Sequence, residues 1–165
     1  TEANIRSLDL SQYGVISFAT HALVSNEIDG LFEPALVLTP VDENMPSNDG
    51  LLSAKEVSKL NLDAEIVVLS ACNTASSIDE ESSEGLTGLA NSFFNAGAKS
   101  LLVSYWSVIS ESAVDITTRI FKSSNKGRSY AHKHRNAVLD LLKNSKDTYK
   151  LHPSYWAPFS VIGVN

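Results

Sequence analysis

The chain reads as an α/β domain on a mostly parallel central sheet with helices on both faces. Short apolar runs rich in Val, Ile and aromatics alternate with segments of helical periodicity, and that alternation builds parallel sheets. At 165 residues there is chain for one domain with a single substantial core. Apolar content is ordinary for a globular protein, which argues against disorder.

The first strand-like run is Tyr13 to Thr20, and the next is Ala35 to Thr39. Pro40 to Gly50, rich in Pro, Asn, Asp and Ser, reads as an exposed loop. Ser53-Ala54-Lys55-Glu56 is a capping box, so a short helix runs from there to about Leu60. Glu65 to Ala71 is the third run. Leu86, Leu89, Ala90, Phe93 and Phe94 recur at helical spacing, and Gly97 is placed to end that helix in a left-handed conformation. Lys99 to Tyr105 is the fourth run. Two helices follow, with inward stripes Ala113, Ile116, Thr117, Ile120, Phe121 and Tyr130, Ala131, His134, Ala137, Val138, Leu141, Leu142. Trp156 to Ile162 is the last strand. The chain enters its first buried strand almost at once, with no preceding element to flank it. Residues 1–165 are therefore expected to form the C-terminal part of a larger domain or protein.

No apolar stretch reaches membrane-spanning length, and the polar opening is not a signal peptide. A single cysteine allows no internal disulfide and no zinc-finger spacing, so a cytoplasmic location is expected. The net charge of −6 conceals an asymmetry: residues 1–118 hold 4 Lys/Arg against 17 Asp/Glu, whereas 119–150 hold 9 against 2. The acidic part discourages nucleic acid. The basic tract could attract an anion or acidic partner, though the solvated faces of two helices are the more frequent reason for such a tract.

Cys72 ends the run Ile66-Val67-Val68-Leu69-Ser70-Ala71, and Val15 to Thr20 delivers His21 in the same way. If both runs are parallel neighbours, thiol and imidazole share the sheet edge where open α/β folds place their sites. That pair is the minimum equipment for nucleophilic attack on a carbonyl, since the thiolate is the reactive form and the imidazole generates or stabilises it. The structural alternative, a small buried thiol and a satisfied histidine, is the more frequent one for such residues taken singly.

Ordered segments along nearly the whole chain resemble a CHAT domain, a branch of the caspase-like cysteine protease group. Phe18-Ala19-Thr20-His21 resembles its histidine motif, Asp49 to Val57 the segment that follows, and Val68-Leu69-Ser70-Ala71-Cys72-Asn73-Thr74 its cysteine motif. Gly85 to Ala90 and Ala96 to Ser100 resemble the next helix and turn. Tyr105-Trp106-Ser107-Val108 and His152 to Phe159 resemble its later signatures. The resemblance implies a three-layer αβα caspase-like fold lacking its N-terminal portion, and a cysteine endopeptidase with a His21/Cys72 dyad that works through a thioacyl intermediate. It further implies an oxyanion site from the backbone N–H groups of Ala22 and Cys72. An upstream helical-repeat or other regulatory domain is an implied partner, beside a protein or peptide substrate. Two departures stand out. Ala22 replaces the glycine usual after the histidine, and Asn73 stands where an acidic residue is frequent. A catalytically inactive module acting in protein assembly is the alternative.

For specificity, Asp79, Glu80, Glu81 and Glu84 follow the nucleophile and could line a pocket for a basic side chain, or form a solvated charge run. Trp106 falls after the next strand, where it either shapes the cleft or packs into the core. Asp29, in the loop after His21, is a further candidate. No metal site is expected: His132 reads as solvent-facing, His134 lies on an apolar stripe and His152 reads as a turn residue before Pro153. No cofactor is expected either, as phosphate-loop, dinucleotide and serine-hydrolase signatures are absent.

Overall fold

A computed structural model describes residues 1–41, 48–70, 84–122 and 127–163. Its main sheet contains β1 (Val15–Phe18), β5 (Ile66–Leu69), β6 (Ser100–Ser104) and β7 (Phe159–Gly163) in that spatial order. β1, β5 and β6 run parallel, with Phe18 opposite Leu69 and Val68 opposite Leu102. β7 returns antiparallel, its Phe159 opposite Ser104. Helices cover both faces, and the architecture is the mostly parallel α/β arrangement of a caspase-like fold. No helix among the described residues is long and apolar enough to cross a membrane.

Strand alternation sorts the core in two. Val67 and Leu69 of β5 join Phe18, Leu101 and Val103 against α2 (Ala54–Val57) and α3 (Glu84–Asn95), where Val57, Leu89 and Phe93 are buried. Ile66, Val68 and Leu102 face the other way, onto Ile116 and Ile120 of α4 (Ser110–Lys122) and Ala137 and Leu141 of α5 (Tyr130–Asn144). Each such side chain taken from water contributes about 1.5–3 kcal/mol. Among the described residues, β1 is covered more fully on one face than on the other. Phe18 is buried while Val15 is 44% exposed, and β5 is its single strand neighbour among the described residues.

Several elements follow their local signals closely. Ser53 Oγ accepts from the Glu56 N–H at 3.3 Å and Glu56 Oε2 from the Ser53 N–H at 3.0 Å, completing the capping box of α2. Gly97, at φ +110°, ends the turn after α3.

Others depart from expectation. Ala35–Val37 (β3) is a strand but belongs to a separate antiparallel sheet, between β2 (Ala22–Leu23) and β4 (Leu51–Ser53). Strands of two or three residues are too short to show a period of two. A helix, α1 (Glu2–Ser7), and a 3₁₀ turn, Leu10–Gln12, precede β1, which therefore is preceded by structure after all; Thr1 caps α1 by accepting from the Asn4 N–H. Trp156, expected in the last strand, closes the short helix α6 (Pro153–Trp156). Pro153 at its first position and the His152 Nδ1 acceptor at its cap start a helical turn, delaying the strand to Phe159. Ala131, Leu142 and Phe121 are exposed rather than inward; Ile116, Ile120, Ala137 and Leu141 are the buried apolar residues of these two helices, with Ala113, Tyr130 and Val138 packed beside them. Within the expected loop, 42–47 lie outside the described residues, and Gly50 at its end is buried.

Candidate active site

His21 stands at the junction of the two sheets. β1 ends at Phe18, the chain crosses Ala19 and Thr20, and β2 begins at Ala22. One residue of the small sheet holds this crossing. Val37 donates its N–H to the His21 carbonyl at 2.8 Å and accepts the Thr20 hydroxyl on its own carbonyl. On the other side the Ser70 N–H donates to the Phe18 carbonyl at 3.1 Å, continuing the β1/β5 ladder past its last strand residues. The imidazole itself is exposed.

Ala22 is buried in β2, opposite Leu36. Asn26, at φ 64°, is the non-glycine residue with positive φ among those described, so Ala22 needs none of the freedom that glycine would supply. In an antiparallel pair, bonded and non-bonded residue pairs alternate. Since Val37 bonds His21, Ala22 and Leu36 form the non-bonded pair, and the Ala22 N–H is directed away from β3.

A cavity of about 450 Å³ opens beside His21. Ser17, Thr20 and Ser70 line it from the strand ends, together with Ala113, Val114 and Thr117 of α4. Apart from His21, its described lining carries no ionisable side chain.

Asp29 is exposed on the turn joining β2 to β3 and is not part of this lining. That turn is built by Asn26, whose N–H donates to the Leu31 carbonyl, and by Glu27, whose carboxylate accepts from the Val24 N–H. Trp106 follows β6 on the same C-terminal strand edge as His21, and at 43% exposure it is not the core residue that a strand-end tryptophan usually is. Cys72, Asp79, Glu80 and Glu81 lie outside the described residues, as does the side chain of Glu84; the backbone of Glu84 begins α3.

Three residues that hold this site escaped the sequence reading: Thr20, Val37 and Glu2. The carboxylate of Glu2, 1% exposed, accepts from the Gly50 N–H at 2.8 Å and from Arg6 at 2.8 Å. Arg6 also donates to Glu56 of the α2 cap at 2.7 Å, and the Leu38 N–H donates to the Gly50 carbonyl. The N-terminal helix is thereby tied to the strand that holds His21. The Glu2/Arg6 spacing of four was the available signal for a helix, but nothing in it names Gly50 as a partner.

The other histidines stay apart from this site. His152 caps α6, and His132 is partly buried on α5. His134 has a buried Nε2 with no hydrogen-bond partner, and burial lowers its pKa from the ordinary value.

A family model described as CHAT domain matches residues 1–164. Tetratricopeptide repeat protein 28 of Mus musculus is 31% identical over 118 residues, 72% of this chain, and the Homo sapiens protein of that name is equally similar. The chain spans about 5% of the length of these curated relatives.

Proposed function

The chain belongs to the CHAT domain family, within the caspase-like protease group, and on that premise we propose that it is a cysteine endopeptidase with a His21/Cys72 dyad. One observation carries the reading. Phe18 and Leu69 are register partners in adjacent parallel strands, and three residues onward from each come His21 and Cys72. The thiolate of Cys72 attacks the scissile carbonyl and forms a thioester. His21, protonated by the thiol, gives its proton to the leaving amine, and water then hydrolyses the thioester. The Ala22 N–H, turned away from β3, is a donor suited to the developing oxyanion together with the Cys72 N–H. One donor of this kind lowers the barrier by ~3–4 kcal/mol in enzymes where it has been removed.

The half-exposed Trp106 is the described candidate for a wall of the substrate cleft. The tetratricopeptide repeats in the names of the relatives support an upstream helical-repeat partner, and the open edge of β1 is a place where a preceding segment would add a strand.

Labelling by a thiol-reactive peptide probe, compared with Cys72→Ala and His21→Ala, tests the reading. Fast, saturable labelling lost in both variants is expected. Labelling no faster than that of a denatured thiol, unchanged by His21→Ala, would reject it in favour of a non-catalytic assembly module. Peptides with basic, acidic and apolar residues at the cleaved position then decide whether Asp79, Glu80, Glu81 and Glu84 select a basic side chain.

A further inference from the structure

We infer that Thr20 is a positioning residue for the His21 imidazole, acting through Val37; this rests on the dyad reading above. The crossing from β1 to β2 passes between two sheets, so neither ladder alone fixes the residues within it. Val37 supplies the tie from the small sheet, as donor to the His21 carbonyl and acceptor of the Thr20 hydroxyl. In a regular antiparallel pair the two residues exchange both bonds, and the carbonyl of Val37 would take the backbone N–H of His21. Here the Thr20 side chain bonds that carbonyl, and the two residues are held as one unit.

The imidazole has no hydrogen-bond partner among the described residues. The backbone that carries it is thus the described constraint on its place, and misplacement of about 1 Å at a reacting group can cost ~100-fold in rate. Thr20 also lines the cavity beside His21, so this tie borders the space that His21 lines. Without the hydroxyl the Val37 carbonyl loses an acceptor bond, and the crossing keeps one tie to β3 instead of two.

The experiment is the pH dependence of alkylation by iodoacetamide, for which the single cysteine makes the readout unambiguous. Wild type is compared with Thr20→Val, Thr20→Ala, Thr20→Ser and His21→Ala, each checked by thermal unfolding. A histidine-stabilised thiolate reacts well below the ordinary thiol range near ~8.5. Thr20→Val and Thr20→Ala are expected to move the profile toward that of His21→Ala and slow alkylation at pH 6 by about tenfold. Thr20→Ser, which restores the hydroxyl, is expected to stay within about twofold of wild type. Should Thr20→Val fail to fold because its methyl meets the Val37 carbonyl, Thr20→Ala alone carries the comparison. A wild-type profile in folded Thr20→Ala, with His21→Ala shifted, overturns the inference and leaves the dyad standing. A profile that His21→Ala does not move overturns the dyad, and the inference with it.

Discussion

The buried carboxylate of Glu2 accepts the backbone N–H of Gly50 across 48 positions of the chain, at 2.8 Å. Gly50 sits at φ +85°, and a Cβ there would lie 3.0 Å from the Leu38 carbonyl, so the turn is one that glycine alone fills without strain. The same Leu38 donates back to Gly50 and directly follows Val37. An acidic side chain at the start of the chain thus secures the turn next to the strand that holds His21.

Glu2→Ala should cost about 3 kcal/mol. It leaves the Gly50 N–H without its acceptor and takes a carboxylate from Arg6, and leaving a buried donor unsatisfied costs about 1–3 kcal/mol. Glu2→Gln, which keeps an acceptor for Gly50, should lose about half as much. Urea unfolding of the three proteins checks both values, and equal stability of Glu2→Ala and wild type would contradict them.

Gly97→Ala should be among the most damaging single substitutions in the domain. A Cβ there would lie 2.0 Å from the Leu62 carbonyl, in a backbone conformation at φ +110° that side chains rarely adopt. Leu62 cannot withdraw freely, since its own N–H donates to the Ala96 carbonyl at 2.7 Å. Backbone strain of this kind costs about 1–3 kcal/mol before the contact is counted, so a loss of roughly 4 kcal/mol or failure to fold is expected. Thermal unfolding of Gly97→Ala beside the solvent-facing Gly127→Ala separates the steric effect from the conformational one. At Gly127, φ is +80° but no atom of the described residues lies within 4 Å of such a Cβ.

Acid should weaken the fold in two stages. Burial lowers the pKa of His134, so in the folded state the ring resists a proton that the unfolded chain takes up. The unfolded state binds more protons as pH drops below about 6.5, and stability falls from there until the folded pKa is passed. Asp115 behaves differently. Burial opposes its charge, but hydrogen bonds and charge from Arg119 and Lys150 outweigh this and hold its pKa below the ordinary value. Its contribution is present above the unfolded pKa near 4 and is lost as pH falls through the folded one. His134→Leu removes the first stage and the unpartnered Nε2, so it should flatten stability between pH 7 and pH 5 and add up to about 1 kcal/mol at pH 5. Unfolding free energies measured at both pH values decide the point; an unchanged slope would place the titration elsewhere.

What the sequence reveals here is what local chemistry determines. The capping box at Ser53, the helix stop at Gly97 and the apolar runs of β1, β5 and β6 act over a few residues and were all readable. β2 and β4 were not. They exist because Leu36 and Leu52 are buried on partners distant in sequence, and two or three residues leave no periodic trace. The site divides in the same way. His21 shows itself by its place after a strand, whereas its supports, Val37 and Thr20, are ordinary strand and junction residues whose role appears only when β3 is laid beside the crossing. Trp106 left two readings open for a related reason: its chemistry favours burial, but the turn after β6 leaves it half outside.

The antiparallel return of β7 bears on how the chain comes off the ribosome. Leu101 and Leu102 of β6 gain their second strand only when Ile162 and Val161 have been made, some sixty residues later. During that interval α4 and α5 are already synthesised and can cover one face, but the side of β6 that awaits Phe159–Gly163 is bare. Such an unpaired strand, apolar at Leu101, Leu102 and Val103, is what chaperones bind and what aggregates nucleate on. Synthesis past Gly163 is therefore the moment at which the nascent domain stops being a hazard to its neighbours.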